Sequence, residues 1–205
     1  MLDLNLFGGN SFFYPVKGNN YVCFKTLEKA DRQRFIDGFN KLSAKSVYHR
    51  FFGFMKELSE KQLEDFLNTD KKDHVAWAAF DIVGEDAFGI GVGRFKRNDE
   101  KRNEAELALT VIDEYQEKGV GTALLAIMYY LGSKLDINTF TGIIMSDNAK
   151  LIMRFKELGA VMTRIGSEYE MRLPVHENFD DIPKTRYSRI LKPVLAFLKE
   201  NEFCV

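Results

Sequence analysis

Apolar and polar positions along the chain switch between two periods. Tyr21 to Lys25 reads as a short strand, and Leu27, Ala30, Phe35, Phe39 and Leu42 then fall at helical spacing. A second helix is predicted from Ser59, where Ser59-Glu60-Lys61-Gln62 forms a capping box ahead of Leu63, Phe66 and Leu67. From His74 the period shortens. Val75 to Val83 and Phe88 to Phe95 are apolar runs joined by Gly84-Glu85-Asp86, and Glu104 to Ile112 follows a charged loop, so three strands form an antiparallel meander.

Helical spacing returns at Gly119 to Leu135, with Val120, Ala123, Leu124, Ile127, Met128, Leu131 and Leu135 on one stripe. Phe140 to Met145 is a strand and Asn148 to Leu158 a helix. Ala160 to Ile165 and Glu168 to Leu173 are two further strands. Before Tyr21, weak alternation at residues 2 to 7 and the turn signals Gly8-Gly9-Asn10 and Gly18-Asn19-Asn20 flank Phe12, Phe13 and Tyr14, which predicts a small hairpin or edge extension. Pro174 to Thr185 reads as a polar linker. Ile190, Leu191, Val194, Leu195 and Leu198 form a last amphipathic helix, broken or started at Pro193. Such a helix must cover its stripe on the domain or on another subunit, so a homodimer is one outcome. The order strand, helix, helix, three strands, helix, strand, helix, two strands specifies an α+β protein with one mixed, mostly antiparallel sheet flanked by helices.

Composition narrows the class. The 205 residues carry 29 basic and 30 acidic side chains, a formal net charge of −1, which argues against a polybasic partner of nucleic acid or of a membrane surface. Hydrophobic residues at 45% suffice for one sizeable core. Cys23 and Cys204 have no spacing for a metal site and read as free thiols of a reducing compartment. No basic leader precedes Lys17, and no apolar run reaches the roughly 18 residues of a membrane span, so a cytoplasmic protein is expected.

Candidate chemistry concentrates at Gln116-Glu117-Lys118-Gly119-Val120-Gly121-Thr122-Ala123, between a strand and a helix. Glycines there let backbone N–H groups converge at the positive end of a helix, which is what holding a pyrophosphate requires. The segment lacks the spacing and Lys of a P-loop. It also has Leu124 where a dinucleotide fingerprint needs its third Gly, and a meander precedes it rather than a parallel βαβ unit. What it matches is Gln/Arg-x-x-Gly-x-Gly/Ala. Together with Asn103 to Val111 before it and Asn148 to Leu151 and Lys156 to Ala160 after it, the chain resembles the GNAT acetyltransferase superfamily over about residues 21 to 173.

The resemblance implies a GNAT acyl-CoA N-acyltransferase fold, acetyl-CoA as acyl donor and no metal. It implies a division into an N-terminal extension (1–20), the acetyltransferase domain (21–173), and a linker with its C-terminal helix (174–205). Leu42 to Phe52, followed by Leu58-Ser59-Glu60, is similar to the amino-terminal helical part of bacterial protein-lysine acetyltransferase domains, which implies a protein lysine as acceptor. A small amine is the alternative acceptor, and a non-catalytic acyl-CoA-binding module is the alternative of another class.

Acyl transfer to an ammonium with an ordinary pKa of about 10.4 needs a general base. Alternation puts Glu104, Glu106, Ala108 and Thr110 on one strand face and Ala105, Leu107, Leu109 and Val111 on the other. Glu106 lies farther from the charged loop and stands where the family's protein-acetylating members have their base; Glu104 is second, and His49 a further candidate. The resemblance also implies an oxyanion donor among the N–H groups near Thr110 or Val111. Asn148 either meets the pantetheine arm or caps its helix, and Lys118, Lys150 and Arg154 are candidates for CoA phosphates. Where many members place an acid Tyr, this chain has Phe155.

Overall fold

The computed structural model of the chain describes residues 10–17, 20–83 and 86–201. Within them one sheet runs in the order β1-β2-β3-β4-β5-β6-β8-β7. Its strands are β1 Ser11–Val16, β2 Asn20–Thr26, β3 His74–Val83, β4 Asp86–Arg97, β5 Glu104–Val111, β6 Thr139–Met145, β7 Val161–Ile165 and β8 Glu168–Pro174. Neighbours are antiparallel except β5 and β6, as the mixed pattern predicted. The helices are α1 Arg32–Asn40, α2 Ala44–Phe51, α3 Glu60–Leu67, α4 Val120–Lys134, α5 Ala149–Glu157 and α6 Ser188–Glu200.

The aromatic patch at Phe12, Phe13 and Tyr14 is itself strand β1, paired along its whole length with β2; Phe12 stacks on Phe24 at 5.5 Å. Residues 2–7 and Cys204 lie outside the described residues. Cys23 is free and buried, and burial pushes its thiol up to about 11, so it is a poor nucleophile at neutral pH.

Leu27 to Leu42 does not form one helix. Leu27 belongs to the core beneath Leu67, and a 3-10 turn follows at Lys29–Asp31. In that turn the buried Asp31 carboxylate accepts from the Glu28 N–H at 3.1 Å and meets Lys25 Nζ at 2.9 Å. Helix α1 stops at Asn40, and Ser43 starts α2 by accepting from the Ser46 N–H at 3.2 Å. The apolar spacing thus covers a 3-10 turn and the shorter α1, and the Ser43 cap, which satisfies a helix-end N–H, starts a separate helix after it.

Helix α4 was expected to bury one stripe, yet it is buried almost all round, Leu125, Tyr129 and Tyr130 included, because the sheet takes one side and α6 packs on the other. Leu191, Val194, Leu195 and Leu198 of α6 are buried, and the helix continues through Pro193 rather than breaking there. That apolar contact offsets the hydrogen bond Pro cannot make. The segment before α6 is pinned, not free: Tyr129 Oη donates to the Pro174 carbonyl at 3.0 Å and accepts from the His176 N–H at 2.9 Å, and Val175 and Ile182 are buried.

The second face of the sheet is covered by α1, α2 and α3. A register shift between Ala79 and Phe80 falls opposite Gly89 and Gly91, where α1 comes so close that a Cβ on Gly89 would sit 2.8 Å from the Arg34 carbonyl oxygen. A bulge and a close backbone approach thus coincide at these glycines.

Candidate active site

Strands β5 and β6 pair only at Glu104 with Thr139, Ala105 with Phe140 and Glu106 with Thr141. Beyond Glu106, β5 stays beside β4 and β6 beside β8, so the two strands part. The Asn98 N–H bonds the Glu104 carbonyl at 2.9 Å and the Ile112 N–H the Ile90 carbonyl at 3.0 Å. Even-numbered residues of β5 thus spend their backbone groups on β4, and alternation turns those of Leu107, Leu109 and Val111 toward the opening. Thr110 therefore presents its side chain to the second sheet face, while the Val111 N–H faces the gap. Gln116 Nε2 donates to the Val111 carbonyl at 3.1 Å.

The wide end of the opening is the glycine-containing turn. Glu117 has φ 60° and Gly119 φ 102°, a region that strains any residue with a Cβ. The first bond of α4 runs from the Ala123 N–H to the Gly119 carbonyl at 3.0 Å, so the N–H groups of Val120, Gly121 and Thr122 have no acceptor within the helix. A Cβ on Gly121 would meet nothing closer than Val111 Cγ2 at 3.5 Å, an ordinary contact. The fold itself does not demand glycine there. The side chains of Val120 and Ala123 are buried in the core, so their part in the turn is played by backbone. The Thr122 hydroxyl lies 3.2 Å from Tyr187 Oη, a hydroxyl delivered from just before α6 that no local sequence signal announces.

The start of α5 flanks the same opening. Asn148 Oδ1 accepts from the Leu151 N–H at 3.4 Å, which is the capping alternative. Lys150 of its first turn pairs with Glu117, holding the Glu117 carboxyl below its usual range. The two helix N-termini are thereby tied across the gap. Lys118 places its ammonium 4.7 Å from the Tyr115 ring centroid. Arg154 lies over the ring of Tyr187, and Phe155 is 4% exposed in the main core.

On the second face, α2 is fastened over the end of β5 by Asp113. Its carboxylate accepts from the Ser43 N–H at 3.0 Å, the Ser43 hydroxyl at 2.8 Å and the Ser46 hydroxyl at 3.0 Å. Burial raises the Asp113 pKa, but the Ser43 and Ser46 hydrogen bonds together outweigh it and leave the carboxyl below its usual value. His49 Nε2 is held at 3.0 Å by Asp147 from the loop before α5, which makes the two a surface pair.

Beneath these helices lie two adjoining hollows that share Arg50, Phe66, Arg94 and Ala108. One is mainly apolar and reaches Phe39 and Phe51; the other is polar and contains Asp65, Lys96 and Glu106. The two carboxylates of β5 fare differently. Arg172 grips Glu104 with two hydrogen bonds, 2.7 and 3.1 Å, and these hold its carboxyl below the usual range, which makes it a weaker base. Glu106 is exposed in the polar hollow, at the residue where β5 and β6 separate, and no hydrogen bond or ion pair to its side chain occurs among the described residues.

The donors and shape of the opening fit an extended amide-bearing arm ending in a pyrophosphate: unpartnered strand backbone along it, and helix-terminal N–H groups with a positive-φ glycine at its mouth. Among the described residues no group of three or more His, Cys, Asp or Glu could hold a metal ion, and no helix is long and apolar enough to cross a membrane.

A protein-family model of the Acetyltransferase (GNAT) domain matches residues 22–161. The acetyltransferase Pat of Mycolicibacterium smegmatis is 27% identical over 151 residues, which are 73% of this chain and 44% of Pat. This chain spans about half the length of the curated relatives it matches, 44% and 62% for the first two. Among solved structures, the GNAT domain of S. lividans PAT aligns with a TM-score of 0.73 at 24% identity, over 80% of this chain and 96% of that one. The structure of yncA, described as a putative acetyltransferase from Salmonella typhimurium with its cofactor acetyl-CoA, aligns with a TM-score of 0.60 at 18% identity, over 77% and 95%.

Proposed function

The chain belongs to the GNAT acetyltransferase family, and from that premise we propose that it moves the acetyl group of acetyl-CoA to a protein lysine by direct attack, with Glu106 as general base. The observation that carries the reading is the placement of Glu106 at the closed end of the β5/β6 opening whose wide end is the turn of Gly119 and Gly121. One site thus joins a seat for a pyrophosphate to a carboxylate that makes no ion pair or hydrogen bond among the described residues. The catalytic unit is residues 21–173, with β1 as an added edge strand.

The bound donor supplies an activated acetyl thioester, and the chain's residues do the rest. Gln116, Lys118 and the N–H groups from Gly119 to Thr122 hold its phosphates, while the Val111 and Leu109 backbone groups line its arm. Glu106 accepts the proton that leaves the lysine ammonium, so that a neutral amine can form the new C–N bond. Negative charge that develops on the carbonyl oxygen is met by the Val111 N–H, aligned beforehand by the strand. As the C–S bond breaks, the nitrogen's surplus proton passes to solvent and the thiolate departs without an acid from the protein, because Phe155 has no proton and a thiol pKa near 8.5 makes thiolate a tolerable leaving group. Protein acceptance is supported by the open cleft beneath α2 and α3 and by the resemblance of Leu42 to Phe52 to protein-lysine acetyltransferase domains.

The test is acetyl-CoA turnover, read as thiol release, against lysate proteins, lysine peptides and polyamines with labelled donor. Discrete labelled protein bands that vanish with Glu106→Gln support the reading. Label found only in the small-molecule fraction would move the acceptor to a small amine.

A further inference from the structure

Arg50 is the one residue that borders both hollows from α2, and its surroundings are lopsided. Its guanidinium carbon lies 5.2 Å from the Phe51 ring centroid and 5.9 Å from that of Phe66. Among the described residues no carboxylate reaches it within ion-pair distance, and no oxygen accepts a hydrogen bond from it. Arg94, 4.7 Å from the same Phe66 ring centroid, is by contrast within 3.6 Å of Asp65. Burial and then the charge of Arg94 push the Arg50 pKa down to about 10, against the pull of Glu106, so the group is still charged at neutral pH.

Aromatic rings satisfy the faces of a guanidinium but not its five in-plane N–H donors. A half-buried fork with idle donors is a standing cost unless something with acceptor oxygens docks on it. Its planar geometry matches a two-oxygen anion. Glu106 in the same hollow supplies the opposite sign, so the cleft offers one place for an ammonium and a neighbouring one for a carboxylate.

From this juxtaposition we infer that the acceptor is an amine accompanied by a carboxylate a few ångströms away, the carboxylate seated on Arg50 while the ammonium meets Glu106. The inference rests on the acetyl-transfer reading for what happens to the amine, not for the binding itself. Two sources share this chemistry: an acidic side chain beside the target lysine, and the α-carboxylate of a free amino acid. A polyamine offers Arg50 nothing and is repelled by it.

The experiment compares matched pairs: capped lysine peptides with Asp or Asn beside the lysine, and free lysine with lysinamide. Binding and acetylation are both measured for the wild type, Arg50→Gln and Arg50→Lys, with unliganded thermal midpoints to show that each variant is folded. The wild type should favour the acid over its amide by about tenfold or more in at least one pair. The favoured pair identifies the source. Arg50→Gln should bring that ratio close to 1, and Arg50→Lys should keep part of it. Equal handling of acid and amide in both pairs, or a preference that survives Arg50→Gln, overturns the inference. An Arg50-dependent binding preference without turnover would leave the inference standing and remove the acetyl-transfer reading instead; neither binding nor turnover would remove both.

Discussion

The two ends of the β5/β6 opening solve recognition with different material. At the mouth, Gln116 to Ala123 work mainly through backbone: N–H groups left over at the start of α4 and a glycine at φ 102°. In the cleft proposed for the acceptor the groups are side chains, and they come from α2, α3, β4 and β5, four elements spread over residues 44–111. Backbone geometry is set locally and tolerates many side-chain changes, whereas a set of side-chain charges depends on every element that packs around it. The difference teaches that one family can keep its donor end while exchanging acceptors, because the two ends share a strand but almost no side chains.

The sharpest break between the two ends is Glu106→Gln, which keeps size and removes proton acceptance. Turnover should fall by about 100-fold to 10,000-fold with acetyl-CoA binding intact, read by steady-state kinetics beside a thermal shift. A smaller loss than for Glu104→Gln would show that the wrong carboxylate was chosen, since Glu104 is already committed to Arg172.

Next in size is Phe155→Ala. The ring anchors α5, which presents Asn148 and Lys150 to the donor end, and its removal should cost about 3 to 5 kcal/mol of stability in denaturant unfolding. Phe155→Tyr should leave the turnover nearly unchanged. A large rate gain in that variant would mean that thiolate departure limits the reaction.

Gly121→Glu tests the donor end alone. The fold has room for a Cβ at that position, so the variant should stay folded but lose the acetyl-CoA-induced rise in melting temperature, a loss of about 2.7 kcal/mol of ligand stabilisation at 100 times Kd. ATP should not stabilise the wild type. If it does so equally, the donor assignment is wrong.

The smallest effect concerns Asp113, which fastens the acceptor end to the donor end through Ser43 and Ser46. Its folded pKa lies below the unfolded value, so its stabilisation is present above the unfolded pKa of about 3.9 and disappears as pH falls through the lower folded pKa. Asp113→Asn should cost under about 1 kcal/mol at neutral pH, since the group is solvent-exposed. The gap between variant and wild type should close in acid, as followed by unfolding curves from pH 7 to pH 2. A gap independent of pH would assign the effect to shape rather than charge.

Much of the fold was legible because its signals are local. Period-two runs gave β3, β4 and β5, the capping box gave α3, and the apolar run after Gly119 gave α4. The break within Leu27 to Leu42 was missed because apolar spacing was weighed above the Glu28–Asp31 capping box, which turns the chain into a 3-10 turn ahead of α1. That α6 would bury the outer side of α4, and so survive Pro193, could not be read from either helix alone.

The sequence by itself determined the α+β order, the glycine-containing turn at the start of α4 and the alternation that sets Glu104 and Glu106 on one face, since these depend on backbone preference and on residues within a few positions. Tertiary structure alone decided that β5 and β6 part after Glu106, that Arg172 occupies Glu104 while Glu106 makes no ion pair among the described residues, and that Arg50 and Arg94 both stand by Phe66 with Arg94 ion-paired to Asp65. The physical reason is that the free energy of a charge is set by its neighbours in space, and strand register and helix docking choose those neighbours from distant parts of the chain.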